Sequence, residues 1–325
     1  MLNYRRFVLS TLMALSTSGL FSVGFSAEEL KDYQKVEGVT GTLKSVGSDT
    51  MNNVMALWTE GFQKFYPGVK IEVEGKGSAT APTALIAGTS QLGPMSRPMK
   101  KEEIESFKSK NGYEPVGVKT CLDVLAVYVH KDNPIKSLSL EQVDAIFSKT
   151  RKAGGKSDIV TWGDLGLTGE WATKPIQTYG RNSASGTYGY FKEHALAKGD
   201  FKDSVKEQPG SAAVVQAVTN DKFGIGYSGI GYITPGVKAV DLSSKGGAPI
   251  KADAKHAYDG TYPLGRFLLV YVNKSPTTGL DPLRREFLKF VLSAQGQEAV
   301  EKDGYIKLPA ATIKKELDTL VNTKG

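Results

Sequence analysis

The chain has 325 residues, 40% of them hydrophobic, and a formal net charge of +7. That length holds two domains of ordinary size, and the apolar content excludes a disordered chain. A modest basic excess suits an anionic ligand or surface without identifying either.

Residues 1–27 differ in character from the rest. Arg5 and Arg6 precede an apolar run from Phe7 to Phe25, and Ser26 and Ala27 close it before Glu28 and Glu29. This is the pattern of a secretory signal peptide, cut after Ala27, rather than a membrane anchor, because Ser and Thr dilute the run and no basic stop follows. Its loss removes two arginines and no acid, leaving +5. The single cysteine, Cys121, sits in the apolar run CLDVLAVYV, so no internal disulfide forms and a buried thiol is expected. No cysteine stands at the cleavage site to carry lipid. The expected location is the periplasm.

From there the predicted elements alternate. GTLKSVGS reads as a strand entering a glycine turn, and Met51, Val54, Met55, Trp58, Phe62 and Phe65 form one helical stripe, stopped by Pro67 and Gly68. VKIEVEG is a second strand, GSATAPTAL opens a second helix, and Gln91 to Met95 is a third strand. Strand, helix, strand, helix, strand argues for a parallel α/β sheet with helices starting at the carboxyl ends of strands, where ligands bind in this class.

Two later stretches match each other: LAVYVHKDNP, starting at Leu125, and LLVYVNKSP, starting at Leu268. Their flanks do not match, so they read as two strands in equivalent roles, through which the chain leaves one lobe and later returns. This gives a discontinuous first lobe, 28–121 plus 263–325, and a second lobe, 122–262. Within the second, SLSLEQVDAIFSK is a helix with a Ser start, PIQTYG a strand, SAAVVQAVTN a helix and FGIGYSG a strand. After the return strand, LRREFLKFVLSAQGQEAVEKDGY and TIKKELDTL give the closing helices.

Three glycine-, serine- and threonine-rich stretches precede helical patterns: GSDTM at 47–51, GSATA at 77–81 and RNSASGT at 181–187. A helix start carries about half a positive charge and several unpaired N–H donors, and small residues let an anion approach the backbone. Arg181 adds a guanidinium four residues before the third start. Together they point to one small tetrahedral oxyanion. His130, His194 and His256 are the only histidines and none stands at metal-ligand spacing; there is no GxSxG elbow and no GxxxxGK[ST] loop, and no base accompanies Ser185. Binding without catalysis, metal or cofactor is the economical reading. Tyr188, Tyr190 and Phe191 are expected to pack the second lobe, Trp162 to sit at the surface or against a membrane partner, and the lysine-rich stretch 149–156 to be a solvated loop.

GSDTMNNVM, GKGSATAP, LGPMSRPM, GRNSASGTYGYF and the GIGY strand, in that order over nearly the whole mature chain, resemble the phosphate-binding proteins of ABC-type phosphate importers. The resemblance implies two α/β lobes joined by a two-strand hinge, closing over dehydrated inorganic phosphate for delivery to a membrane permease driven by a separate ATPase. The protein is expected to be a monomer that binds no nucleic acid. The ligand set the resemblance implies falls on Ser48, Thr50, Ser78, Arg181, Ser185, Gly186 and Thr187. One departure concerns selectivity: where well-known members carry Ser-Asp-Ala-Pro, with an aspartate that accepts the proton of hydrogen phosphate, this chain has Ser96, Arg97, Pro98 and Met99. An arginine cannot accept that proton. Asp49, held by Arg97, is the expected replacement; its alternative role is to stabilise a helix start. An exported enzyme acting on phosphate esters, or a binder of sulfate or molybdate, are the competing functions.

Overall fold

The structure, a computed structural model, describes residues 30–321. The expected signal peptide lies outside them. The chain begins with β1 (Thr42–Val46), α1 (Asn52–Phe65), β2 (Lys70–Glu74), α2 (Thr80–Ala87), β3 (Gly93–Met95) and α3 (Lys101–Asn111). The long strand β4 (Val116–His130) leads into β5 (Ser137–Ser139), α4 (Leu140–Phe147), β6 (Gln177–Arg181), α5 (Gly186–His194), β7 (Lys206–Gln208), α6 (Ser211–Asn220), β8 (Gly224–Gly229), β9 (Val237–Ala239), β10 (Asp241–Ser243) and α7 (Ala254–Tyr258). Then β11 (Gly265–Val272) returns to α8 (Pro282–Val291), α9 (Ala294–Lys302) and α10 (Ala310–Val321).

The expected order of the first five elements is present, and β1 pairs with β2 in parallel. A parallel bridge from Ser45 to Leu92 carries the arrangement toward β3. In the larger sheet the order is β3-β11-β4-β8-β6-β7, with β9 also on β4. Its far side is parallel, β8 with β6 and β6 with β7, while β4 and β11 run antiparallel to each other. This is the two-lobed α/β architecture: β4 changes partner along its length. Val116 to Val124 face β11, and Leu125 to Val129 face β8. The two similar stretches occupy opposite ends of this pair, LAVYVH leading toward β8 and LLVYVN toward β3.

Burial on both faces explains the near-continuous apolar run of β4: every residue from Cys121 to Val129 is buried. The Cys121 thiol is among them, and burial raises its pKa. Met51 at the N-cap of α1 and Val54, Met55, Trp58 and Phe62 on it are buried as one stripe, and the Trp58 Nε1–H donates to Gly296 O at 2.8 Å. Phe62 meets Phe287 edge-on at 5.4 Å, seating α1 on α8. Trp162 is not at the surface: it is fully buried, crosses Trp171 at 6.0 Å and donates to Phe223 O. A short 3-10 turn, Trp162–Leu165, puts it there. The aromatic run after RNSASGT packs as expected, with Phe191 stacked on Tyr227 at 3.9 Å and Tyr188 on Phe201 at 4.6 Å.

Candidate anion site

The three helix starts converge. Gly47 N–H donates to Glu74 O, Gly77 N–H to Gly47 O, and Ser48 N–H to Pro94 O, so the turns after β1 and β2 lock together over β3. Gly77 is required there: its φ is +106°, and a Cβ would stand 2.6 Å from Ala184 O in the third motif. Ala79 N–H donates to that same carbonyl at 3.1 Å, a backbone bond joining the second motif to the third.

Thr50, just before α1, and Thr187, in the first turn of α5, face each other with hydroxyl oxygens 2.9 Å apart. The Thr187 hydroxyl also lies 3.5 Å from Ser96 Oγ, which is 3.3 Å from Ser78 Oγ. Ser185 is the N-cap of α5; its Oγ accepts from the N–H groups of Thr187 and Tyr188. Gly186 allows the closest approach: a Cβ there would fall onto Ser78 Oγ and lie 2.6 Å from Ser96 Oγ. Tyr232 and Tyr305 both donate their hydroxyls to Thr50 O, at 3.2 and 2.7 Å, fixing the turn that presents Thr50.

Arg181 ends β6 at 2% exposure. Its Nη1 donates to Ser211 Oγ at 2.7 Å, and its Nη2 lies 3.2 Å from Asp49 Oδ2. Asp49 Oδ2 also accepts from Ser211 N–H at 2.9 Å, so one carboxylate holds both the arginine and the start of α6. Burial pulls the Arg181 pKa below its ordinary value, and Asp49 opposes that pull. Arg181 Nε and Ser48 Oγ are buried with no hydrogen-bond partner among the described residues. Together with the hydroxyls of Thr50, Ser78, Ser96, Thr187 and Ser211, a buried guanidinium N–H and a buried hydroxyl left open make a donor set an oxyanion satisfies.

The expected pairing of Asp49 with Arg97 is not what the structure shows. Arg97 forms a two-pronged pair with Glu103, both bonds 2.7 Å, and donates to Pro98 O. The reason is local: Glu103 is the N3 residue of α3 and also accepts from Lys100 N–H, so it stands beside Arg97 at the helix start. Asp49 is left to Arg181.

Four residues at the site were not singled out from the sequence: Ser96, Ser211, Asp123 and Arg266. Arg266 on β11 lies opposite Asp123 on β4 and donates to its Oδ2 through Nε and Nη2 at 2.9 and 2.7 Å. Its Nη1 donates to Ser96 O at 2.8 Å and its Nη2 to Thr187 Oγ1 at 3.0 Å. Ser211, a serine opening a helix after Pro209 and Gly210, repeated the signal of the other three starts. A lone Arg or Asp within an apolar strand was the signal for the other pair.

No group of three or more His, Cys, Asp or Glu suited to hold a metal occurs among the described residues, and no described helix is long and apolar enough to cross a membrane.

A family model, the PBP superfamily domain, matches residues 34–295. A phosphate-binding protein PstS from Pseudomonas aeruginosa is 56% identical over 311 residues, covering 95% of this chain and 96% of that protein. One from Staphylococcus haemolyticus is 31% identical, covering 86% of this chain and 85% of its own. Among solved structures, one described as a phosphate ABC transporter substrate-binding protein with bound phosphate, from Clostridium perfringens, aligns with a TM-score of 0.70 at 27% identity. It covers 82% of this chain and all of that one. With an anion-type donor set at the junction of a two-lobed α/β fold, and with these relatives matching along almost its whole length, the chain belongs to the PBP superfamily and, within it, to the PstS phosphate-binding proteins.

Proposed function

We propose that this protein captures inorganic phosphate in the periplasm and presents it to the membrane permease of an ABC importer, without chemistry of its own. The observation that carries the reading is Arg181: a fully buried guanidinium, its Nε unpartnered, bonded to the Ser211 hydroxyl, from which a chain of hydroxyls runs on to Thr50 and Thr187. The relatives' names supply the anion.

The ligand set is Ser48, Thr50, Ser78, Arg181, Ser185, Gly186 and Thr187, with Ser96 and Ser211 added. Thr50, Ser78 and Ser96 belong to one lobe, 28–121 plus 263–325; Arg181, Ser185, Gly186, Thr187 and Ser211 belong to the other, 122–262. The partner change of β4 between Val124 and Leu125 supports that division. An anion bound by both sides bridges them, so closure follows from binding. The export signal 1–27 and a monomeric state complete the proposal.

Selectivity falls to Asp49. Its Oδ2 holds Arg181 and Ser211 N–H, and its second oxygen is available to accept the proton that hydrogen phosphate carries and sulfate lacks. Arg97, tied to Glu103, takes no part. Asp49→Asn is expected to weaken phosphate binding and narrow the gap to sulfate in calorimetric titrations. An unchanged ratio would remove Asp49 from selectivity.

The function itself is tested by a thermal-shift screen with phosphate, sulfate, molybdate and arsenate, run beside an assay with a chromogenic phosphate ester. Phosphate is expected to raise the melting temperature at the lowest concentration, with no ester turnover. Preferential stabilisation by sulfate or molybdate, or ester hydrolysis, would replace the reading.

A further inference from the structure

We infer that Arg266, clamped by Asp123 at the junction of β4 and β11, is a positioning residue that turns the Thr187 hydroxyl into an obligate donor toward the bound anion, and so ties the hinge strands to the ligand. The inference rests on the phosphate-binding reading given above.

Arg266 and Asp123 are a direct cross-strand pair, one register position before β4 leaves β11 at the Val124 and Gly265 pair and takes up β8 at Leu125. Both are buried, Asp123 completely and Arg266 at 5% exposure. An ion pair gains little from such a place by itself, because desolvating both charges offsets their attraction. Every hydrogen bond it makes is nevertheless satisfied. Asp123 Oδ1 accepts from Ile230 N–H at 3.1 Å, just after β8, and its Oδ2 takes two bonds from Arg266. The guanidinium lies 5.2 Å from the centre of the Tyr190 ring, and the Tyr190 hydroxyl donates to Gly265 O at 2.7 Å. The planar fork is therefore held on β4, on β11 and on α5.

Two further N–H groups reach the anion site. Nη2 donates to Thr187 Oγ1 at 3.0 Å and Nη1 to Ser96 O at 2.8 Å. A hydroxyl has one proton to give. When Thr187 Oγ1 accepts from a permanent cation, its own proton must point away from Arg266, which leaves it to donate. The neighbouring acceptors it meets on that side are Thr50 Oγ1 and Ser96 Oγ, both at the proposed ligand site. Independently of Arg266, the Ser96 N–H donates to Ser78 Oγ at 3.0 Å, so that hydroxyl's proton also points elsewhere. Arg266 thus orients the Thr187 hydroxyl from the place in the sheet where β4 changes partner. Lysine would keep the charge and lose the fork, since it cannot span Asp123, Ser96 O and Thr187 Oγ1 in one plane.

The test is a double-mutant cycle on phosphate affinity, measured by calorimetry with the full mature chain: Arg266→Lys, Thr187→Val and both together. Arg266→Lys is expected to weaken phosphate binding at least about tenfold, the scale of one charge-assisted hydrogen bond. The double variant should bind no more weakly than Thr187→Val alone, because the arginine acts through that hydroxyl. Additive losses, or unchanged affinity in Arg266→Lys, would overturn the inference. Should Arg266→Lys not fold, the cycle is run with the neutral pair Arg266→Gln/Asp123→Asn in its place, which leaves no buried charge unpaired, and the same two results decide it. A parent chain that does not bind phosphate would instead refute the functional reading on which this rests.

Discussion

Gly186 has no side chain because Ser78 and Ser96 occupy the space one would need. A methyl group there would press on Ser78 Oγ and stand 2.6 Å from Ser96 Oγ. Gly186→Ala is therefore expected to oppose closure by about 1–3 kcal/mol, the usual scale of overpacking. Phosphate affinity should fall while the melting temperature of the ligand-free protein changes little. An affinity equal to the parent's would show that these surfaces do not close on each other in solution. Arg181→Ala is a harsher change. It removes a buried charge from Asp49 and from Ser211 at once, and losing one partner of such a pair costs about 2–5 kcal/mol. Calorimetry is expected to find binding weakened at least about thirtyfold, the lower end of that range. Both residues could be read from RNSASGT, since a small residue and a cation beside a helix start have few other reasons to occur together. Ser96 could not: it follows a three-residue strand, and its role depends on Gly186 arriving from 90 residues further along the chain.

At the scale of elements, α1 shows how a helix start is held open for a ligand. Its first turn is fixed from outside, by the Tyr232 and Tyr305 hydroxyls on Thr50 O and by Asp303, the residue that ends α9. Burial pushes the Asp303 carboxyl up to about 7, against the opposing hydrogen bonds from Asn53 and the Val54 N–H, and its Oδ2 is buried without a partner. In the unfolded chain this group ionises near 4. The folded state therefore binds more protons between about pH 4 and 7, and the stability this carboxyl contributes is full below that window and lost as pH rises through 7. Asp303→Asn, which cannot ionise, is expected to gain stability relative to the parent as pH is raised from about 4.5 to 7.5, read from urea midpoints at each pH. A difference that stays constant with pH would remove Asp303 as the titrating group. The element patterns themselves were mostly visible in the sequence: α1, α6 and α8 stand where their apolar spacing put them. The helix α3 (Lys101–Asn111) was not anticipated, because KEEIESFKSKN buries only Phe107 and offers no stripe to read.

For the whole molecule, an anion held from both sides of the β4 and β11 pair links binding to global stability. At a free phosphate concentration a thousand times its dissociation constant, the native state should gain about 4.1 kcal/mol. Denaturant unfolding with and without phosphate measures this, and X-ray scattering should show the protein contracting on addition of the anion. A dimension unchanged by phosphate, with stabilisation intact, would mean that the ligand enters an already closed molecule. By itself the sequence determined the α/β class, the two matching strands and the three helix starts with Arg181, because hydrophobic spacing, capping residues and glycine turns are local properties. The tertiary structure alone decided which carboxylate meets which arginine. Asp49 went to Arg181 and Arg97 to Glu103, and Asp123 met Arg266 across 143 residues. Those pairings follow from strand register and helix placement, and no spacing along one chain encodes the distance between charges that only folding brings together.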